Sequence, residues 1–269
     1  MQISVAQAIK DKNPKLYQKL PSFLIRLLER VVRQDEMNSL LRQYGHLPSL
    51  EFTNAIIRYL NNELVIHHEE RIPRTGRCIV VSNHPLGGLD GMTLISICGK
   101  YRPDIKFPVN DLLCYLEPMR DIFIPINKHG KMGADAYKSL NDAFESDDLI
   151  LYFPAGLCSR RQQGKIRDLD WKKTIVTKAR QTQRDIVPCF FDGKNSNFFY
   201  NFANLRKKLG VKSNFEMLLL PRELLKQKQS HFEITFGPLI PYQQFDQSKN
   251  DWEWAQWLKE QVYSLKGRV

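Results

Sequence analysis

The sequence predicts an α/β fold in which a largely parallel or mixed central sheet is flanked by helices, preceded by a helical N-terminal segment. Three observations lead there. From Leu64 onward, short β-branched and aromatic runs alternate with stretches of helical period, the pattern of strands joined by crossover helices. Before that point Gly45 is the one glycine, and apolar residues recur at helical spacing. With 269 residues, 42% of them hydrophobic, the chain is long enough to bury one substantial core.

Residues 1–66 form the helical segment and 67–269 the α/β domain. Within the first, Phe23, Leu24, Leu27, Leu28 and Val31 make an apolar stripe flanked by Arg26, Arg30 and Arg33. The stripe reads as a helix face packed on the main domain, or as one lying in a membrane interface where its arginines meet lipid phosphates. Strands are predicted near 77–82, 106–109, 121–126, 149–153, 186–191, 215–220 and 232–236. Helices are predicted near 90–98, 111–117, 131–145, 171–181 and 248–265, the last packing through Trp254, Trp257, Leu258, Val262 and Leu265. No internal repeat or low-complexity segment interrupts this order.

Composition narrows the function classes. No run approaches eighteen apolar residues and the chain does not open on a basic-then-apolar leader, so the reading is a soluble or peripheral protein on the cytoplasmic side. Cys78, Cys98, Cys114, Cys158 and Cys189 lack metal-ligand spacing and read as reduced core residues. His46, His67, His68, His129 and His231 lack companion ligands, so no metal is expected. The net charge of +11 falls almost wholly beyond residue 70, with one cluster from Arg160 to Arg180 and another at Arg206, Lys207, Lys208 and Lys212. Such patches suit anionic lipid headgroups, an acidic carrier protein or coenzyme A phosphates, or are simply a solvated face. Nucleic acid is not expected, because no zinc-finger, RNP or helix-turn-helix signature accompanies them.

The segment Val81 to Gly91, Val-Ser-Asn-His-Pro-Leu-Gly-Gly-Leu-Asp-Gly, places His84 and Asp90 on a corner between an apolar strand and an apolar helix. Pro85, Gly87 and Gly88 break the chain there. Ligand and catalytic groups of α/β sheets sit at such strand ends, although a histidine beside a Pro-Gly turn also serves to tie loops together. A second punctuated strand end, Leu149 to Gly156, follows about seventy residues on. Two such ends suggest one cleft lined by both.

Four ordered blocks carry a resemblance. They are Asn83-His84 with Asp90, then Phe123 to Lys128, then Phe153-Pro154-Ala155-Gly156 with Ser159 and Arg160, and finally Ile186-Val187-Pro188. Together they resemble the PlsC-like superfamily of lysophospholipid and glycerol-phosphate acyltransferases, and within it the haemolysin-like branch that acylates lyso-ornithine and related aminolipids. Two departures stand out. Asp90 follows His84 by six positions where the family has five, a surplus that Gly87 and Gly88 can absorb. In the third block Ala155, Leu157 and Cys158 replace the usual Glu, Thr and Arg, which weakens a phosphate-bearing acceptor.

The resemblance implies a glycerol-phosphate-acyltransferase-like fold and acyl transfer from acyl-ACP or acyl-CoA to a hydroxyl, with no bound cofactor. His84 would be the general base and Asp90 its orienting partner, or a helix cap. Amides around Gly156 would receive the oxyanion. Asn83 would brace the corner at the substrate. Lys128, standing where the family carries an Arg, would join Ser159 and Arg160 in an anion-binding wall. Val187 and Pro188 would line the acyl or acceptor tunnel, or simply form a core strand. No acyl-enzyme is implied, so Cys158 packs. The acceptor would be a lyso-aminolipid of ornithine or glycine type, the alternative being 1-acylglycerol-3-phosphate. A thioesterase and a non-catalytic lipid-binding protein remain further readings. The implied partners are the lyso-lipid, the thioester donor and an anionic membrane surface, with the protein peripheral on the inner face of the cell membrane.

Overall fold

A computed structural model describes residues 2–12, 14–110, 113, 116–126, 134–211 and 214–267. Among these, five N-terminal helices, α1 Val5–Lys12, α2 Pro14–Lys19, α3 Ser22–Val32, α4 Gln34–Tyr44 and α5 Ser49–Leu60, lead into strands β1 Glu63–His67 and β2 Cys78–Ser82. Then come α6 Leu89–Gly99, β3 Ile105–Asn110, β4 Phe123–Ile126, α7 Ala134–Glu145, β5 Leu149–Tyr152 and the small hairpin β6 Arg160–Gln162 with β7 Lys165–Arg167. The chain closes with α8 Thr174–Gln181, β8 Asp185–Asp192, α9 Asn197–Lys208, α10 Leu220–Lys226, β9 His231–Phe236 and α11 Asp251–Tyr263.

Seven strands form the central sheet in the order β1-β9-β8-β2-β5-β3-β4. Every pairing is parallel except β8 with β9. The mixed sheet expected from the alternation is therefore present. Strand β2 lies between β8 and β5, with Val80 opposite both Val187 and Leu151. The carboxyl ends of these three central strands consequently open on one edge.

Side-chain alternation divides the core between the two faces of the sheet. Cys78, Val80, Leu149, Leu151, Val187 and Cys189 face Phe52 and Ile56 of α5 and Leu94 and Ile95 of α6. Ile79, Val81, Ile150 and Ile186 face Phe144 of α7, Ile175 of α8 and Leu258 of α11. Both faces are covered, which is why β2, β5 and β8 read as unbroken apolar runs rather than alternating ones.

Several elements differ from expectation. Residues 215–220 are not a strand: Phe215–Leu219 is a 3-10 turn leading into α10, with Phe215 and Leu218 exposed and Glu216 and Leu219 buried. A period of three can be mistaken for two over so short a run. Strand β1, paired along its length with β9, straddles the boundary at residue 66. The β6–β7 hairpin and α9 carry too many polar and basic residues to announce themselves by pattern. The stripe on α3 is only partly packed: Val32 is buried, whereas Phe23 is 65% and Leu27 51% exposed. Of the helix predicted near 111–117, the described residues show a 3-10 turn at Glu117–Met119.

Candidate active site

The corner after β2 is built around one buried carboxylate. Asp90, in the first turn of α6, accepts hydrogen bonds from the backbone N–H groups of Leu86 (2.8 Å), Gly87 (3.3 Å), Gly88 (3.0 Å) and Gly91 (2.9 Å). Its Oδ2 also lies 2.9 Å from His84 Nδ1. Gly87 turns the chain at φ +80°, a left-handed conformation that glycine adopts without cost to a Cβ. This turn accommodates the extra residue between His84 and Asp90, so that the pair forms and the carboxylate caps α6 as well. The two roles are one arrangement.

Burial by itself would raise the Asp90 pKa. The charge of His84, its hydrogen bond and the amides of Leu86 and Gly91 outweigh that effect and hold Asp90 below its ordinary value. A carboxylate so held only accepts hydrogen bonds, so the His84 proton sits on Nδ1. Nε2 is then the lone-pair nitrogen of the neutral ring. The ring is mostly sheltered, its side chain 15% exposed, and it stacks on Phe153 at 4.1 Å between centroids. Phe153 follows β5, so the two strand ends meet as the sequence suggested.

A second carboxylate supports the same loop from the opposite side. Asp168, 3% exposed, accepts from the Ser159 hydroxyl at 2.6 Å, the Trp171 indole N–H at 2.9 Å and the His84 backbone N–H at 3.2 Å. The Ser159 N–H in turn donates to the His84 carbonyl at 2.7 Å. Tyr263 of α11 receives the Asp168 N–H at 2.7 Å. Burial raises the Asp168 pKa, with the Ser159 and Trp171 hydrogen bonds opposing the rise. Sequence reasoning missed this residue. It is one acid within a basic run, and nothing in the pattern distinguishes it from a solvated one.

The other expected site residues take various places. Asn83 braces the corner: its amide exchanges two hydrogen bonds with the Phe191 backbone, at 2.9 and 2.8 Å, tying β2 to β8. Gly156 closes a turn by donating to the Phe153 carbonyl at 3.0 Å, with φ +66°, so its own amide is already engaged. A Cβ added there would lie 3.2 Å from Lys172 Nζ, which puts a cation beside the turn that sequence reading had not assigned. Ser159 and Arg160 differ from the expected wall. Ser159 is bonded inward to Asp168, and the Arg160 guanidinium binds the Cys158 carbonyl at 2.6 Å and buried Glu216 at 2.8 Å. Arg206 of α9 holds the other Glu216 oxygen at 2.7 Å. Lys128 lies outside the described residues. Val187 is enclosed in the core, and Pro188, also buried, accepts from the Gly237 N–H at 2.7 Å, so both occupy the plain core strand. Burial pushes the Cys158 thiol up to about 11, keeping it protonated and in keeping with a packing role.

Two hollows adjoin the corner. One, about 30 Å³, is apolar, with Met92 of α6 and Leu224 of α10 in its lining; Leu224 would lie 3.9 Å from a Cβ on Gly88. The other, about 400 Å³, lies between the β6–β7 hairpin and α9 and is rich in Arg and Lys.

A histidine paired with a buried carboxylate at the carboxyl edge of a mixed α/β sheet is the arrangement the four blocks implied for a group-transfer enzyme. A family profile described as Acyltransferase matches residues 7–269, and the chain belongs to that family. It is 45% identical to the lyso-glycine lipid O-acyltransferase of Phocaeicola vulgatus over 264 residues, 98% of this chain and 95% of the relative. It is 44% identical to the enzyme of the same name from Bacteroides thetaiotaomicron, covering 98% and 97%. Among solved structures it is similar to the 1-acyl-sn-glycerophosphate acyltransferase PlsC of Thermotoga maritima, with a TM-score of 0.51, 15% identity and coverage of 92% of this chain and 94% of that one. At that identity the likeness concerns the fold.

Proposed function

We propose that this acyltransferase moves a fatty acyl group from a thioester donor, acyl-ACP or acyl-CoA, to the hydroxyl of a lyso-aminolipid of the glycine type. The observation that carries the mechanism is the 2.9 Å His84–Asp90 pair on its amide-filled corner. In this reading Nε2 of His84 takes the alcohol proton as the oxygen attacks the thioester carbonyl. Asp90 holds the tautomer and stabilises the imidazolium that results. Collapse of the tetrahedral intermediate expels the thiolate, which recovers the proton, so alcohol and thioester become ester and thiol. Histidine suits this exchange because it both accepts and returns a proton near neutrality.

The acceptor assignment is supported by the names of the two relatives and by the third block. A phosphate headgroup favours two-pronged arginine contacts, yet Cys158 stands where the family's arginine would be, and Arg160 is bound to Glu216. A carboxylate needs less, and Lys172 beside Gly156 supplies a cation for it in this reading. The acceptor and product are lipids, and the surface offers a way to reach them. Phe23 and Leu27 of α3, Leu205 of α9 and Leu209 just beyond it, and Phe215 and Leu218 are exposed, interspersed with Arg26, Arg30 and Lys208. Apolar side chains among cations suit an anionic bilayer face, so the protein would act at the inner surface of the cell membrane. The test is a side-by-side rate measurement with lyso-glycine lipid, lyso-ornithine lipid and lysophosphatidate, using palmitoyl-ACP and palmitoyl-CoA in turn. The expected result is turnover that depends on acceptor and is fastest with lyso-glycine lipid. A large preference for lysophosphatidate overturns the acceptor, and donor consumption with water alone would mark a thioesterase.

A further inference from the structure

The 400 Å³ cleft between the β6–β7 hairpin and α9 has no part in the chemistry described so far. Its lining includes Arg160, Arg161, Arg206 and Lys207. One carboxylate, Glu216, answers this charge, and it is shared between Arg160 and Arg206. Arg161 is held by neutral oxygens instead: its guanidinium donates to Asn197 Oδ1 at 2.5 Å and Asn201 Oδ1 at 3.2 Å and lies over the Tyr200 ring at 5.2 Å. The cleft is thus a concave surface carrying several cations for one buried anion. One of those cations is fixed in place without being neutralised. Concavity, polar groups held in place and uncompensated charge are what a phosphate site requires.

From this geometry we infer that the cleft binds the phosphate of the acyl donor's phosphopantetheine arm, with Arg161 and Lys207 as its contacts. The inference rests on the acyltransferase reading and deepens it. Its first support is position. Leu157, Arg160 and Leu169 line the cleft, while their chain neighbours Cys158, Ser159 and Asp168 are buried, and the last two hydrogen-bond to the backbone of His84. The cleft and the base therefore share a wall. A long pantetheine arm separates phosphate from thioester sulfur, so the donor needs its phosphate held to one side of the base. In a lyso-aminolipid whose hydroxyl sits on the amide-linked chain, the carboxylate is only a few bonds from the reacting oxygen. That anion belongs next to His84, near Lys172, not behind the wall.

A membrane phospholipid presents the same phosphate chemistry, and the experiment separates the two sources. The double variant Arg161→Gln/Lys207→Gln is compared with wild type and with Lys138→Gln/Lys228→Gln, which removes the same charge elsewhere. Each is assayed with palmitoyl-CoA, palmitoyl-ACP and palmitoyl-pantetheine, which carries the thioester without phosphate. Loss of charge-assisted hydrogen bonds predicts a KM for the phosphorylated donors about ten- to a hundredfold higher. The KM for lyso-glycine lipid and the rate with palmitoyl-pantetheine stay as in wild type, and the charge-matched control changes neither. A rise in acceptor KM instead, equal loss with all three donors, or no change overturns the inference. So does loss of binding to phosphatidylglycerol vesicles with donor KM intact, since the cleft would then hold lipid phosphate. If wild type transfers acyl groups to no acceptor, the acyltransferase reading falls by itself. Calorimetric binding of coenzyme A to wild type and double variant still decides the cleft.

Discussion

The His84 corner and the exposed lip made by α3, the end of α9 and the 3-10 turn at Phe215 are built on opposite plans. At the corner both carboxylates are buried and their oxygens are filled: Asp90 by four amides and an imidazole, Asp168 by a hydroxyl, an indole and an amide. At the lip large apolar side chains face outward, Leu209 being 69% exposed, and in the adjoining cleft Arg161 rests on neutral amides. A filled network fixes one geometry, since each lost partner leaves a buried group unsatisfied. Exposed apolar surface and spare charge fix nothing until a partner arrives. The corner is therefore where substitution should abolish rate, and the lip where it should alter access.

The sharpest break is at His84 and Asp90. His84→Ala should lower kcat on the order of 10²- to 10⁴-fold, the range of a lost general base, with KM for both substrates little altered. Asp90→Asn should come close to it in rate and exceed it in damage to the fold, because an amide NH₂ would face backbone donors. The pH dependence carries a sign. Asp90 is held below its unfolded value, so the stability it contributes is complete above the carboxylate range and is lost as pH falls through its folded value. Asp168 is raised by burial, so its contribution runs the other way and is lost as pH rises through its raised value. Thermal melts between pH 3 and 7 should show Asp90→Asn losing the acid-side fall that wild type shows. A His84→Ala enzyme with full rate would remove the corner from the chemistry.

Next in size is Asp168, which supports His84 through its backbone and touches no substrate. Asp168→Asn keeps an oxygen for Ser159 and the His84 amide but turns an NH₂ toward the Trp171 indole N–H. We expect kcat about tenfold lower, KM unchanged and a stability cost of about 1–3 kcal/mol. The discriminating variant is Trp171→Phe, which removes the opposing donor. Combined with Asp168→Asn it should recover much of the lost kcat. Stability recovered without rate would make the carboxylate purely structural.

Much of the fold was legible because β2, β5 and β8 are covered on both faces and so read as continuous apolar runs. The His84 corner was legible because glycine and proline punctuate it between a strand and a helix. Residues that act through tertiary contacts were not. Asp168 and Glu216 are acids in ordinary sequence surroundings, and only the packing of α9, α11 and the 3-10 turn at Phe215 makes them buried. Arg160 shows the converse. Its position in the third block suggested an anion wall, but Glu216 arrives from 56 residues on and turns it inward. Local pattern records what a residue's neighbours in sequence require, and an ion pair of that separation leaves no such trace.

The smallest effect is expected at the lip. Phe215 is 52% exposed, beside Leu218 on the same turn, and neither contributes much to the core, so Phe215→Asp with Leu218→Asp should leave the melting temperature almost unchanged. The two charges add a repulsive element against an anionic bilayer and remove two insertable side chains. Partition onto vesicles containing phosphatidylglycerol should fall severalfold, and more steeply at low salt, where the repulsion is unscreened. Turnover of lyso-lipid presented in those vesicles should fall in proportion. Turnover of the same acceptor dispersed in detergent micelles should hold, because the corner is untouched. Equal loss in both would mean that the 3-10 turn shapes the site directly through Leu219 and Leu220. Leu220 packs against Gly87, so that outcome would join lip and corner into one unit.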